Sequence, residues 1–249
     1  MAVVLLLAAA LPVTAQAKPE NPCDGKEAKQ LLCPNLQIGP ANELYVENRG
    51  VGEVLLRATS DVRSRGRGPI ELVGRRNGWR TMTTNQRIWR VGGGYKVVKS
   101  DATLRFTDVG YQFGGAYWKV HQLARFDLRP VEADGSIGDP VRISPKLNYC
   151  LRDLERTQPS AVSPVGRYYP ACNQNPYRNR VTLGTSVGWS DIYPAPYHQQ
   201  FINVSGLNGC FVYEMTVDPQ NSLFESNEDD NTSRRVVRLP YTGPTAAGC

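Results

Sequence analysis

The chain has 249 residues, 41% hydrophobic, 9% aromatic and 21% charged, which is enough apolar material to bury one core and too much for a disorder-dominated chain. Its formal charge of +6 comes from 29 Lys and Arg against 23 Asp and Glu scattered along the sequence. Only two histidines, His121 and His198, and six cysteines occur, with no close Cys and His pairs, so a zinc finger and a dense histidine metal centre are excluded.

Residues 1–17 run apolar to Leu11, meet Pro12 and end on the small residues Ala15 and Ala17 before Lys18. This is the pattern of a secretory leader cut near Ala17, although the usual basic start is missing. The run is too short to span a bilayer, where about twenty apolar residues are needed; the expected chain is secreted, without membrane insertion. Residues 18–35 read as a polar linker, 36–240 as one domain and 241–249 as a tail, with no internal repeat.

An exported chain can form disulfides. Cys23 and Cys33 enclose a short loop, and Cys150 and Cys172 bracket the Pro- and Ser-rich stretch 159–166, whose freedom a crosslink would limit. Cys210 and Cys249 are left as a third pair, with a free or intermolecular terminal cysteine as the alternative.

Residues 27–32 predict one helical turn ahead of Pro34. Short β-favouring runs then recur between turn signals at 43–47, 54–59, 69–73, 78–83, 95–99, 103–107, 122–128, 180–185, 210–217 and 234–239, while 186–193 reads as an aromatic-loaded loop. Alternation is clearest in 103–107, 123–128 and 211–217. Amphipathic helices are nearly absent, which excludes a parallel α/β sheet; the expected fold is all-β, an antiparallel β-sandwich with long loops.

Motifs that carry chemistry are few. There is no G-x-S-x-G, H-E-x-x-H or Walker sequence, and Gly92–Gly94 and Gly114–Gly115 lack the strand-to-helix setting of a phosphate loop. Either histidine can be paired on paper with many Ser and Asp residues, so surface or packing use is the plain reading of both. Arg63, Arg65, Arg67, Arg75, Arg76 and Arg80 are the nearest approach to a nucleic-acid patch but lack a recognition motif, so a solvated basic face is expected and no nucleic-acid partner. Glu225, Glu228, Asp229 and Asp230, with Asn227 and Asn231, place hard oxygen donors in one loop; calcium and an ordinary charged turn are both open, since EF-hand spacing is missing.

Several segments, read together, resemble one family: Pro34-Asn35-Leu36, Gly68 to Leu72, Trp118 with Ala124-Arg125-Phe126, Lys146 to Leu151, Tyr169 to Cys172, Gly188-Trp189-Ser190-Asp191-Ile192-Tyr193, and Asp218 through Glu225 to Asn231. Over residues 36–239 the chain is similar to the bacterial branch of the lysyl oxidase family. The resemblance implies a β-sandwich core and, in active members, a copper-dependent protein-lysine 6-oxidase that uses a lysine tyrosylquinone. It implies further that three copper-binding imidazoles should fall on Gly115, Tyr117 and Lys119, none of which reproduces that ligand set. His121 shares their two-residue rhythm but is one imidazole. The quinone precursors fall on Lys146 and Tyr193, with Asp191 as the available proton acceptor.

The copper site therefore reads as dismantled. The expectation is a chain with no cofactor and an extracellular binding or structural role toward a protein or cell-wall polymer, Lys146 and Tyr193 surviving as packing. The alternative is a copper-dependent amine oxidase that deaminates the ε-amine of lysine or another primary amine. Candidate contact residues for binding are Tyr95, Tyr111, Tyr117, Trp118, Tyr168, Tyr169, Tyr177, Trp189 and Tyr197.

Overall fold

Alternating apolar and polar residues with few helix formers make strands, rather than helices, the regular structure of the described chain. The computed structural model describes residues 20–244, 246, 248 and 249; the expected leader, 1–17, lies outside them. In chain order the strands are β1 (Leu31–Leu32), β2 (Leu36–Ile38), β3 (Asn42–Arg49), β4 (Glu53–Ser64), β5 (Ile70–Arg76), β6 (Thr81–Arg90), β7 (Tyr95–Asp108) and β8 (Ala116–Val120). They continue as β9 (Ala124–Pro130), β10 (Arg142–Ile143), β11 (Arg180–Thr185), β12 (Ser190–Tyr193), β13 (Phe201–Asn203), β14 (Gly209–Val217) and β15 (Thr232–Leu239). Short 3₁₀ turns occupy Ala28–Gln30 and Tyr111–Phe113.

These strands form an all-β fold of antiparallel sheets. One sheet runs β11-β5-β6-β7-β8 with β1 on β6, and a second runs β10-β9-β14-β15. The third is organised on the long β4, whose first half pairs with β13 and β3 and whose second half pairs with β12 and β2. The main core joins all three through Leu56, Val62, Leu104, Trp118, Phe126, Tyr149, Tyr213 and their neighbours. Trp118, fully buried, meets Phe106 edge-on at 5.5 Å between ring centroids.

The differences from the sequence reading have local causes. Runs 95–99 and 103–107 are one strand, because a register irregularity opposite Thr83 and Asn85 absorbs the polar residues between them. The strand expected at 78–83 starts at Thr81, since Thr81 donates to the Asn77 side chain at 2.9 Å and closes a turn. The one expected from 122 starts at Ala124, because Gln122 takes a positive φ of 54°. Within 186–193, expected as a loop, Ser190–Tyr193 pairs with Arg63 to Ser60 of β4. Residues 18–35 are not a free linker from Cys23 onward: Cys23, Leu31 and Cys33 bury against Ile88 and Phe224 in a second small core, and β1 pairs with Arg90 and Trp89.

Disulfides join Cys23 to Cys33, Cys150 to Cys172 and Cys210 to Cys249. No described helix is long and apolar enough to cross a membrane. The arginines grouped in sequence do not form a uniform free patch. Arg63 Nε pairs with Asp61 at 2.6 Å, and Arg76 donates to the carbonyls of Trp79 and Arg178, each at 2.7 Å.

Candidate functional site

β8 is buried on both faces, so its one charged residue, Lys119, must be accommodated inside the protein, where it is 2% exposed. The cross-strand partner β7 fixes its register. Lys146, on the loop before Tyr149, is equally deep at 1% exposed. A charge in such a place is costly unless it is paired or neutralised. Tyrosine rings supply the walls. The Lys146 amine lies 3.7 Å from the Tyr193 ring centroid and 4.2 Å from that of Tyr149, and it donates to the Asn148 carbonyl at 2.8 Å. The Lys119 amine lies 4.7 Å from the Tyr117 ring and 5.8 Å from both Tyr193 and Tyr197.

Both amines approach the same Tyr193 ring, Lys146 at 3.7 Å and Lys119 at 5.8 Å from its centroid, and each bears on the proton affinity of the other. Burial pushes Lys119 down to about 8, with Asp191 and Lys146 opposing. Burial and then the Lys119 charge hold Lys146 well below the ordinary lysine value. Asp191 is fully buried and its two oxygens lack a hydrogen bond of normal geometry. Burial pushes it up to about 6 against the charges of Arg152, Lys146 and Lys119, and Arg152 Nε stands 4.0 Å from its Oδ1.

The tyrosine hydroxyls are committed. Tyr193 accepts the Cys150 backbone N–H at 3.2 Å, Tyr149 meets Ser60 Oγ at 2.7 Å, and the Tyr117 hydroxyl bonds that of Tyr197. Burial lifts Tyr149 and Tyr193 well above the usual phenol range. Outside this wall is a cleft of about 520 Å³ lined by Phe113, Tyr117, Arg152, Gln174, Tyr193 and Tyr197.

The pair assigned by resemblance, Lys146 and Tyr193, is thus brought together with Asp191 nearby. The copper positions do not fit copper. Gly115 has no side chain and lies in a turn at φ 77° before β8, Tyr117 is bonded to Tyr197, and Lys119 places an amine beside the tyrosines. β8 ends at Val120, and His121, instead of continuing its face inward, bonds the Asn148 side chain at 3.0 Å. His198 packs on Phe113 with ring centroids 5.9 Å apart. Its proton affinity is lowered by burial and then by the charges of Lys119 and Lys146. The juxtaposition of Lys119 with Lys146, and the parts taken by Tyr149, Tyr197 and Arg152, were missed in the sequence. The signal present was a lysine inside the otherwise apolar strand 116–120.

The acidic loop between β14 and β15 is organised differently from expectation. Asp218, Glu225 and Glu228 bring carboxylate oxygens within 4.8 Å of one another. Asp229 and Asp230 do not join them: Asp229 is exposed, and Asp230 accepts from Asn35 at 3.0 Å and Gln37 at 2.6 Å. Glu225 is fully buried and accepts the Leu36 backbone N–H; burial raises it well above the usual carboxylate range, and Asp218 and Glu228 add to the effect. Asn231 donates to Glu225 at 3.4 Å and Glu228 at 3.2 Å, while its own buried Oδ1, like those of Asn35 and Asp230, has no hydrogen-bond partner.

A third feature is a shallow apolar cleft of about 240 Å³ bordered by Leu32, Pro69, Trp89, Val162, Pro164 and Tyr168. Trp89 meets Tyr168 at 6.3 Å and Tyr95 at 6.5 Å, both edge-on. Tyr168 is 61% exposed, whereas Tyr117, Trp118, Tyr169 and Trp189 are buried and are therefore poor contact residues for a large partner. Compared with known proteins, the chain matches no protein-family model and no curated protein.

Proposed function

We propose that the chain is an extracellular, lysyl-oxidase-like β-sandwich domain whose amine-oxidase centre has been dismantled and which acts by binding a protein or cell-wall polymer. The observation that carries this reading is the Lys119 amine, 5.8 Å from the Tyr193 ring, in a position that the resemblance gives to a copper-binding imidazole. An ammonium donates hydrogen bonds and offers no lone pair to a metal. Tyr193 keeps an ordinary, buried phenol bonded to the Cys150 N–H. Binding would fall to the exposed aromatic cleft around Trp89 and Tyr168, where flat rings can stack on sugar or peptide surfaces.

Copper content, quinone staining and hydrogen peroxide release from an alkyl amine, all measured after incubation with copper, test this reading. The expected result is no stoichiometric copper and no signal in either assay. Tightly held copper together with a stained Tyr193 would overturn it.

The acidic loop supports a structural calcium ion as a separate element of the same reading. Three carboxylates within 4.8 Å and unpartnered amide oxygens are hard donors of the kind calcium takes. Calcium at ten times its Kd should add about 1.4 kcal/mol to unfolding stability by mass action. Glu225→Gln should remove that increment, read as the calcium-dependent shift in Tm. Equal shifts in both proteins would rule the loop out.

A further inference from the structure

We propose that the paired amines of Lys119 and Lys146 form a carbonyl-capturing site, in which the Lys146 amine condenses with a small oxo acid whose carboxylate is met by Arg152 in the adjoining cleft. This goes beyond the binding role and reverses the polarity of amine oxidation: here the protein supplies the amine and the ligand supplies the carbonyl.

The geometry carries the inference. A nucleophilic amine must be unprotonated at neutral pH, and enclosure together with a neighbouring cation achieves this. Lys146 has both, being 1% exposed and set against the same Tyr193 ring as the Lys119 amine. It stands 3.7 Å from the Tyr193 ring and 5.4 Å from the Tyr197 ring, and both rings line the 520 Å³ cleft. Tyr197 lies on the turn between β12 and β13 and its ring stands 5.4 Å from the Lys146 amine, so capture from the cleft requires that ring to move aside. Arg152 lies in the same wall with its side chain 36% exposed, a fork suited to a carboxylate. Asp191, with both oxygens free of normal hydrogen bonds, completes the set with a group able to exchange protons. The groups whose charge or titration bears on Lys146 are Lys119, Asp191, Arg152 and His198, together with Tyr117, Tyr149, Tyr193 and Tyr197.

The step balances without a redox partner. The Lys146 lone pair attacks the carbonyl carbon, and the oxygen takes a proton from the Lys119 ammonium. Asp191 accepts a proton from the Lys146 nitrogen and returns it to the hydroxyl, which leaves as water. One amine, one carbonyl and one proton become one protonated imine and one water.

The test incubates the full chain with pyruvate and sodium cyanoborohydride, which reduces an imine to a stable secondary amine, followed by intact mass and peptide mapping. The expected result is a single adduct on Lys146, formed at least about tenfold faster than on the exposed Lys26, Lys29 and Lys99. Arg152→Met should slow capture of pyruvate but not of acetaldehyde. Lys119→Met should move the pH midpoint of capture upward and cut the rate at pH 7 about tenfold, the consequence of one pKa unit. Lys146→Met should abolish the adduct; if that variant fails to fold, the Lys119→Met pH profile decides. Labelling confined to surface lysines, an adduct on Lys119 instead, or indifference to Arg152→Met would overturn the proposal. The untreated chain separates this outcome from the functional reading: a Lys146–Tyr193 crosslink, seen as missing hydrogens in the intact mass, would sink the loss of oxidase function, whereas an intact but unreactive Lys146 sinks only the capture site.

Discussion

Raising the pH from 8 to 10 should stabilise the protein, and Lys119→Met should remove the Lys119 share of that gain. Lys119 has its pKa pushed down to about 8 in the folded state by burial, against about 10.4 in an unfolded chain. Between these values the unfolded state binds more protons than the folded one, so stability rises with pH. The full difference corresponds to about 3 kcal/mol, of which roughly 2 kcal/mol is recovered by pH 10. Lys146, also depressed by burial, acts with the same sign. Above pH 10 the trend reverses: Tyr149, Tyr193 and Tyr213 are raised by burial, so unfolding releases their protons and stability falls. At the acid side Asp191, pushed up to about 6, makes stability fall as pH rises from about 4 to 6.

Urea midpoints across this range, at constant m, read these effects directly. Lys119→Met should be more stable than the parent at pH 7 by about 3 kcal/mol, with a rise between pH 8 and 10 smaller than the parent's by about 2 kcal/mol, the remaining rise coming from Lys146. A parent profile already flat there would mean that Lys119 reaches water, and with it the enclosed amine pair would be lost.

Replacing Cys150 and Cys172 together with serine should cost about 3 kcal/mol, the loop-closure value for residues 22 apart. The effect should also reach the site. The Cys150 N–H holds the Tyr193 hydroxyl at 3.2 Å, and Cys172 lines the cleft beside Arg152. Within the loop, Asp153 accepts from the backbone of Tyr168 at 2.8 Å, Tyr169 at 3.1 Å and Ser186 at 2.7 Å. Further tethers on this segment are the Tyr169 hydroxyl on Glu71 at 2.7 Å and Thr157 on Ser190 at 2.6 Å. The comparison is the Cys210 and Cys249 double variant. Its bond ties the chain end to β14 across a separation of 39, so it should lose comparable stability while leaving the tyrosine environment unchanged. Near-UV circular dichroism and urea unfolding measure both. A loss below about 1 kcal/mol for the first pair would assign the loop's order to its hydrogen bonds instead, those of Asp153 among them.

Much of the strand order was legible because alternation reports which face is buried. The run 180–185 coincides with β11, and those at 210–217 and 234–239 fall within β14 and β15. Strands of two to four residues, such as β2, β12 and β13, carry too few alternations to stand out, and they form because β4 offers both edges along its length. β8 was invisible as a pattern for another reason: covered on both faces, it does not alternate.

The acidic loop shows the same division. Glu225 and Glu228 stood out as neighbours in sequence, but Asp218 enters the cluster only because β14 and β15 pair and return the chain to its start. Asp230 leaves it because Asn35 and Gln37 compete for its oxygen.

Residue identity alone determined that histidine is scarce in this protein, that half-cystines are even in number, and that Lys146, Tyr193 and Asp191 are present in the chain. Only the tertiary structure decided that Lys119 joins them, since β8 and the loop carrying Lys146 are far apart in sequence and meet through backbone pairing of Val120 with Tyr149. The physical reason is solvation. A lysine's chemistry depends on whether water, another amine or a carboxylate surrounds its nitrogen, and that environment is assembled from segments whose separation along the chain carries no information about their distance in space.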